Sequence, residues 1–172
     1  MSSRSEIEKE EEAKEKDGNP EVKNKIRQIQ RQMATINFHI YGSRSYLKER
    51  GHPKNVKDLQ NHTLIGYPAS VPAPFADQNW LFRTAGVDPS DRADLLMMNS
   101  LYAIHRAVEG GVGLAMLPDY LAQDNENIEI VLPELCPAGV DVFFVYPEER
   151  RHSQRIAVFR DFLLKIVSKT RF

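Results

Sequence analysis

Ala107-Val108-Glu109-Gly110-Gly111-Val112-Gly113-Leu114-Ala115-Met116-Leu117-Pro118-Asp119 is the stretch that decides the fold. Leu101, Ile104, Ala107 and Val108 recur at helical spacing, and Asn99 or Ser100 supplies the cap that opens a helix. Gly110-Gly111 stops that helix, because glycine enters the left-handed region without a Cβ penalty. Residues 112–117 then read as a buried strand: a short, unbroken apolar run ended by Pro118. Pro118-Asp119 opens a short helix. A helix, a glycine stop and a fully apolar strand in succession predict an α/β layer with a mixed or parallel sheet.

The flanking sequence repeats that alternation. Residues 35–41 are β-branched and aromatic with polar residues interspersed, which predicts a strand. Gly42-Ser43 ends it, and Ser43 caps a helix running to Arg50. Gly51-His52-Pro53 stops that helix, Asn55 caps a short turn of helix over 56–60, and residues 63–67 make a short strand. Residues 80–83 and 95–98 are strand candidates, as are 128–132 and 140–146. Residues 152–168 form an amphipathic helix with Ile156, Phe159, Phe162, Leu163 and Ile166 on one face.

The N-terminal 34 residues are of another kind. Glu and Lys alternate densely from Glu6 to Asp17, and Gly18-Asn19-Pro20 breaks the pattern. Val22, Ile26, Ile29 and Met33 then form a stripe that predicts a helix over residues 21–33, basic on its other faces. Such short helices are marginal without a core to dock on, so partial disorder is expected there.

Bulk properties narrow the function. The chain has 172 residues and a net charge of −1, so no basic field draws it to nucleic acid. One cysteine, Cys136, excludes an internal disulfide. No two of the five histidines sit at metal-ligand spacing on a shared element, and no nucleophile elbow or phosphate loop occurs. No enzyme, metal or cofactor is expected. No apolar run reaches the ~20 residues of a membrane span, and the N-terminus lacks the apolar core of a secretion signal. The expected compartment is the cytoplasm.

Two resemblances organise these readings. Ser3-Arg4-Ser5-Glu6-Ile7-Glu8, Gly18-Asn19-Pro20-Glu21-Val22-Lys23 and Lys25-Ile26-Arg27-Gln28-Ile29-Gln30-Arg31-Gln32-Met33-Ala34 are similar to the linker of the flagellar export switch proteins. The self-cleaving Asn-Pro-Thr-His sequence of that family is absent, so the resemblance implies ancestry of the segment rather than export activity. The body resembles the effector-binding domain of LysR-type transcriptional regulators. The matching pieces are Phe38-His39-Ile40-Tyr41-Gly42-Ser43-Arg44-Ser45-Tyr46-Leu47, Gly51-His52-Pro53, Asp58-Leu59-Gln60-Asn61-His62, Asn99-Ser100 with the stretch through Leu121, Val145-Tyr146-Pro147 and Phe159-Arg160-Asp161-Phe162-Leu163. The implied fold is α/β: a partial periplasmic-binding-protein-like domain, mainly its second subdomain, behind a charged helical tail. The implied division is a tail over 1–34 and a substrate-binding domain over 35–170, truncated at its N-terminal side and without the family's helix-turn-helix. The helix over 152–168 belongs by resemblance to the first subdomain, so its apolar face is expected to be exposed. Poor stability, a homo-oligomer or association through that surface would follow.

Asn99 and Ser100 are the leading ligand candidates, because a helix N-terminus offers free N–H groups and a positive dipole end to a carboxylate. The same residue types are the preferred caps, so capping alone also accounts for them. Tyr41, Gly42 and Ser43 are further candidates at a strand end, where an ordinary strand-to-helix turn is the plainer account. The function implied is reversible binding of a small anionic metabolite, without direct DNA binding. The alternative is an interaction protein, or a gene-fusion remnant, linked to flagellar protein export.

Overall fold

The structure, a computed structural model, describes residues 27–70 and 77–169. The expected helix over 21–33 falls partly outside them, as does the charged run before it.

Strand β1 (Gln28–Ile36) and strand β2 (Phe38–Ser43) are joined at Asn37. Helix α1 (Arg44–Arg50), a 3-10 turn (Val56–Asn61) and strand β3 (Leu64–Gly66) follow. After them come helix α2 (Trp80–Thr84), strand β4 (Leu96–Met97), helix α3 (Leu101–Glu109), strand β5 (Leu114–Pro118) and the single-turn helix α4 (Asp119–Ala122). Strand β6 (Ile128–Val131), strand β7 (Val140–Pro147) and helix α5 (Gln154–Val167) complete the described chain.

Five strands form one mixed sheet in the order β4-β3-β5-β2-β6. Strand β3 runs parallel to β4 and β5, whereas β2 runs antiparallel to β5 and β6. Alternation along the strands feeds two cores. Phe38, Ile40, Leu64, Leu114 and Met116 face one side, which α1, the 3-10 turn and α2 cover through Leu47, Leu59, Leu81 and Phe82. Tyr41, Ile65, Tyr67, Ala115 and Leu117 face the other, which α3 and α4 cover through Ile104, Val108 and Ala122. Because β5 is buried on both faces, Leu114-Ala115-Met116-Leu117 carries no polar residue. Helix α3 ends as expected, with Gly111 in the left-handed region at φ +77°.

Strands β1 and β7 form a separate two-stranded antiparallel ribbon. Gln28 pairs with Pro147 and Ile36 with Val140, with an irregularity between Gln32 and Ala34. The helix expected through Met33 is therefore corrected over 28–33: Ile29 and Met33 lie in a strand. Pairing along the length of β7 overrides a helical stripe that depended on a partner at Val22 and Ile26. The ribbon also runs straight through the Ala34–Thr35 junction. A second correction concerns residues 80–83, expected as a strand and found as helix α2. Leu81 and Phe82 are both buried on one side of that turn, which alternation in a strand would not allow.

Helix α5 touches the ribbon where the Phe159 ring meets Phe144, with centroids 6.0 Å apart. Much of its apolar surface is nevertheless open: Val158 is 70% exposed and Phe162 56%. Val142, Phe143 and Val145 on β7 are exposed as well. No described helix is long and apolar enough to cross a membrane.

Candidate functional site

Helices α2 and α3 pack on opposite faces of the sheet. The connection leaving β3 through α2 and the one leaving β4 through α3 therefore diverge between two neighbouring parallel strands. Such a switch point opens a crevice outside the carboxyl ends of the strands. Here its walls are Gly66-Tyr67 after β3 and Met98-Asn99-Ser100 after β4. The Met98 N–H still bonds the Gly66 carbonyl at 2.8 Å, so the two chains part immediately beyond that pair.

Asn99 and Ser100 are exposed at this rim. Ser100 caps α3: its Oγ accepts from Ala103 N at 3.4 Å, and its carbonyl accepts from Ile104 N at 3.0 Å. The first N–H groups of a helix have no carbonyl partner within it, so those of α3 beyond the Ser100 cap stay available at its start. On the β3 side, the Asn79 side chain clamps Tyr67. Its Oδ1 accepts from Tyr67 N at 2.9 Å, and its Nδ2 donates to the Tyr67 carbonyl at 2.8 Å. Gly66 permits that approach, since a Cβ there would lie 2.6 Å from the Phe82 ring and 2.9 Å from Asn79 Oδ1. Beside the clamp, Gln78 Oε1 is buried and accepts no hydrogen bond among the described residues. Burial first, then the charge of Tyr120, holds the Tyr67 phenol above its ordinary value.

Two concavities adjoin the rim from the α2 side. One of about 180 Å³ is lined by Phe38, Asp77, Met116 and the chain from Pro137 to Val140, at the root of the ribbon. A wider one of about 660 Å³ runs over Gln78, Asn79, Phe82, Val87 and Pro89. Neither is lined by Asn99 or Ser100.

The second group of candidates is split. Strand β2 runs antiparallel to β5, so Phe38 pairs with Pro118 at the crevice end and Tyr41 with Ala115 toward the other. Gly42 and Ser43 therefore lie at the opposite end of the sheet from the β3–β4 crevice. Their burial has a packing cause: a Cβ on Gly42 would meet Leu114 Cδ2 at 2.6 Å, and Ser43 Oγ accepts from Tyr46 N at 3.1 Å to cap α1. Tyr41 behaves differently. Its hydroxyl reaches back toward the crevice end and donates to Asp119 Oδ1 at 3.0 Å, and His39 Nδ1 meets the same oxygen at 2.8 Å. Burial, then the Asp119 charge and hydrogen bond, hold the Tyr41 phenol well above its ordinary value, so it stays a donor to Asp119. Sequence reading passed over Asp119 and His39. The available signal was a polar residue directly after a strand-ending proline, opposite a strand whose odd positions, His39 and Tyr41, are both polar.

This sheet order, switch point and ribbon match a family of known domains. Residues 28–167 match the model of the LysR substrate binding domain. The chain belongs to the LysR substrate-binding domain family. Its fold is accordingly α/β of the periplasmic-binding-protein-like type. The regulatory domain of CrgA, a LysR-type transcriptional regulator from Neisseria meningitidis, is 18% identical with a TM-score of 0.63, over 87% of this chain and 72% of that one. The AphB regulatory domain from Vibrio vulnificus is likewise 18% identical, with a TM-score of 0.59 over 80% and 69% of the two chains. The AmpR effector domain of Pseudomonas aeruginosa gives 18% and 0.53 over 82% and 66%. Against a second structure of CrgA this LysR-type domain spans 50% of the chain. Residues 1–39 match the FlhB HrpN YscU SpaS family. No curated protein sequence matches the chain. The two family matches overlap over 28–39, the very residues that form β1 and enter β2.

Proposed function

We propose that this LysR-type domain binds a small metabolite reversibly, without chemical conversion, at the crevice between the ends of β3 and β4. The observation that carries the reading is the divergence of the α2 and α3 connections there, with Asn99 and Ser100 presenting the α3 N-terminus. A carboxylate on the ligand suits those N–H groups and the positive end of the helix dipole. An anionic metabolite is therefore the expected effector, and the cytoplasm the expected compartment. In a complete regulator, such binding would shift an equilibrium between two arrangements of the oligomer. Here the exposed apolar residues of β7 and α5 favour association with a second copy or with another chain.

Calorimetric titration of the chain with small mono- and dicarboxylates tests the reading. Saturable heat from at least one of them, lost when Ser100 and Asn99 are both changed to bulky apolar residues, is the expected result. Absence of heat across the series, in a protein with a cooperative unfolding transition, would count against a pocket.

A second reading rests on the match of residues 1–39 to the export family. In it the chain joins a flagellar-type export apparatus through that segment. Capture by export components that disappears on deleting residues 1–26, with the folded body intact, would favour it.

A further inference from the structure

We propose that Asp119 anchors a cationic nitrogen, so that the ligand of the crevice carries an ammonium group as well as a carboxylate. The inference rests on the crevice reading above and adds a ligand class to it. Asp119 opens α4 at the end of β5, one strand beyond β3, and its N–H bonds the Asn37 carbonyl at 3.0 Å. Both donors to its side chain, Tyr41 and His39, use Oδ1. Oδ2 takes no hydrogen bond or ion pair among the described residues. The carboxylate is thus held in one orientation with one oxygen open, and its side chain is 18% exposed. A fixed acceptor loses little conformational freedom when a ligand donor arrives.

The sign of the surroundings selects the donor. The segments that meet at this rim, Phe38-His39-Ile40-Tyr41, Gly66-Tyr67-Pro68, Asn99-Ser100-Leu101-Tyr102 and Pro118-Asp119-Tyr120-Leu121, contain no Lys or Arg. Arg83 on α2 is already paired with Asp77. His39 is the one group of these segments that can carry positive charge, and it meets Oδ1, so Oδ2 is left open to a ligand ammonium. The α3 N-terminus, by contrast, favours negative charge. Strands β4 and β5 are two strand spacings apart in the sheet order, or about 10 Å. A short chain with an ammonium at one end and a carboxylate at the other spans that distance.

The test uses the full chain and two probes of equal length, 6-aminohexanoate and heptanoate, titrated while backbone amide resonances are followed. Both are expected to shift the amides of Leu101 and Tyr102, and 6-aminohexanoate is expected to bind about tenfold more tightly or better, the worth of one charge-assisted hydrogen bond. Asp119→Asn should bring the two affinities together, and Asp119→Glu should keep most of the difference. Equal affinities of the two probes in the unsubstituted chain, with both at the rim, would overturn the ammonium assignment and leave the crevice standing. That comparison holds even if Asp119→Asn fails to fold. A difference that survives Asp119→Asn would also overturn it. If neither probe shifts the rim amides, the crevice reading fails and takes this inference with it.

Discussion

Replacing Gly66 by alanine probes the wall of the crevice directly. A Cβ at this position would lie 2.6 Å from Phe82 Cε2 and Cζ and 2.9 Å from Asn79 Oδ1. Phe82 is 3% exposed and cannot swing into solvent without opening the α2-side core. Asn79 is tied to Tyr67 by two hydrogen bonds of 2.9 and 2.8 Å. Overpacking of a tight core contact costs about 1–3 kcal/mol. Partial loss of the clamp adds up to about 1 kcal/mol for each hydrogen bond. Gly66→Ala should therefore destabilise the domain by about 2–4 kcal/mol, measured by urea unfolding with the slope held constant. Phe82→Leu removes the ring atoms that the methyl would strike, so in that background the penalty should fall by about 1 kcal/mol or more. A penalty under about 0.5 kcal/mol, or one that is the same in both backgrounds, would refute the packing argument and the position of the clamp.

Three further outcomes follow from the same packing. His105 is buried and neither ring nitrogen has a hydrogen-bond partner among the described residues, so His105→Leu should raise stability by about 1 kcal/mol in a denaturant melt. His62 is held below its ordinary value, near 6.5, by burial first and then by the Arg50 charge, with Asp58 acting the other way. The unfolded chain therefore takes up that proton before the folded one. Stability from this group is intact above about pH 6.5 and falls as pH drops toward the depressed value. His62→Gln should flatten that part of an unfolding-versus-pH curve. On α5, Val158→Glu with Phe162→Glu should reduce self-association in sedimentation, with a change in monomer stability within about 0.5 kcal/mol, because both side chains face solvent.

The helix-glycine-strand run through Leu117 was legible because its local signals agree: a cap at Ser100, a stop at Gly111 and a strand apolar on both faces. The amphipathic C-terminal helix and its exposed face were legible for a similar reason. The fate of Gln28–Ile36 was not, because its strand depends on β7, more than a hundred residues away, and its Gln, Arg and Met residues suit a helix equally well. Trp80–Thr84 misled because a short run of large apolar residues reads the same as strand or as helix. The cap at Ser100 was legible from residue type at the start of α3. That Gly42 and Ser43 lie at the other end of the sheet from Asn99 follows from the antiparallel direction of β2 against β5, a long-range fact that no local pattern encodes. The same fact hid Asp119, whose meaning depends on His39 and Tyr41 arriving from the opposite direction.

Residue-resolved amide shift mapping of the chain with a saturating small carboxylate bears most directly on the crevice. The largest shifts should fall at Gly66, Tyr67, Asn99, Leu101 and Tyr102, with smaller ones at Asp119 and near none at Gly42 and Ser43. Shifts centred on Ser43, or a folded chain whose crevice amides stay still with every carboxylate tried, would contradict it.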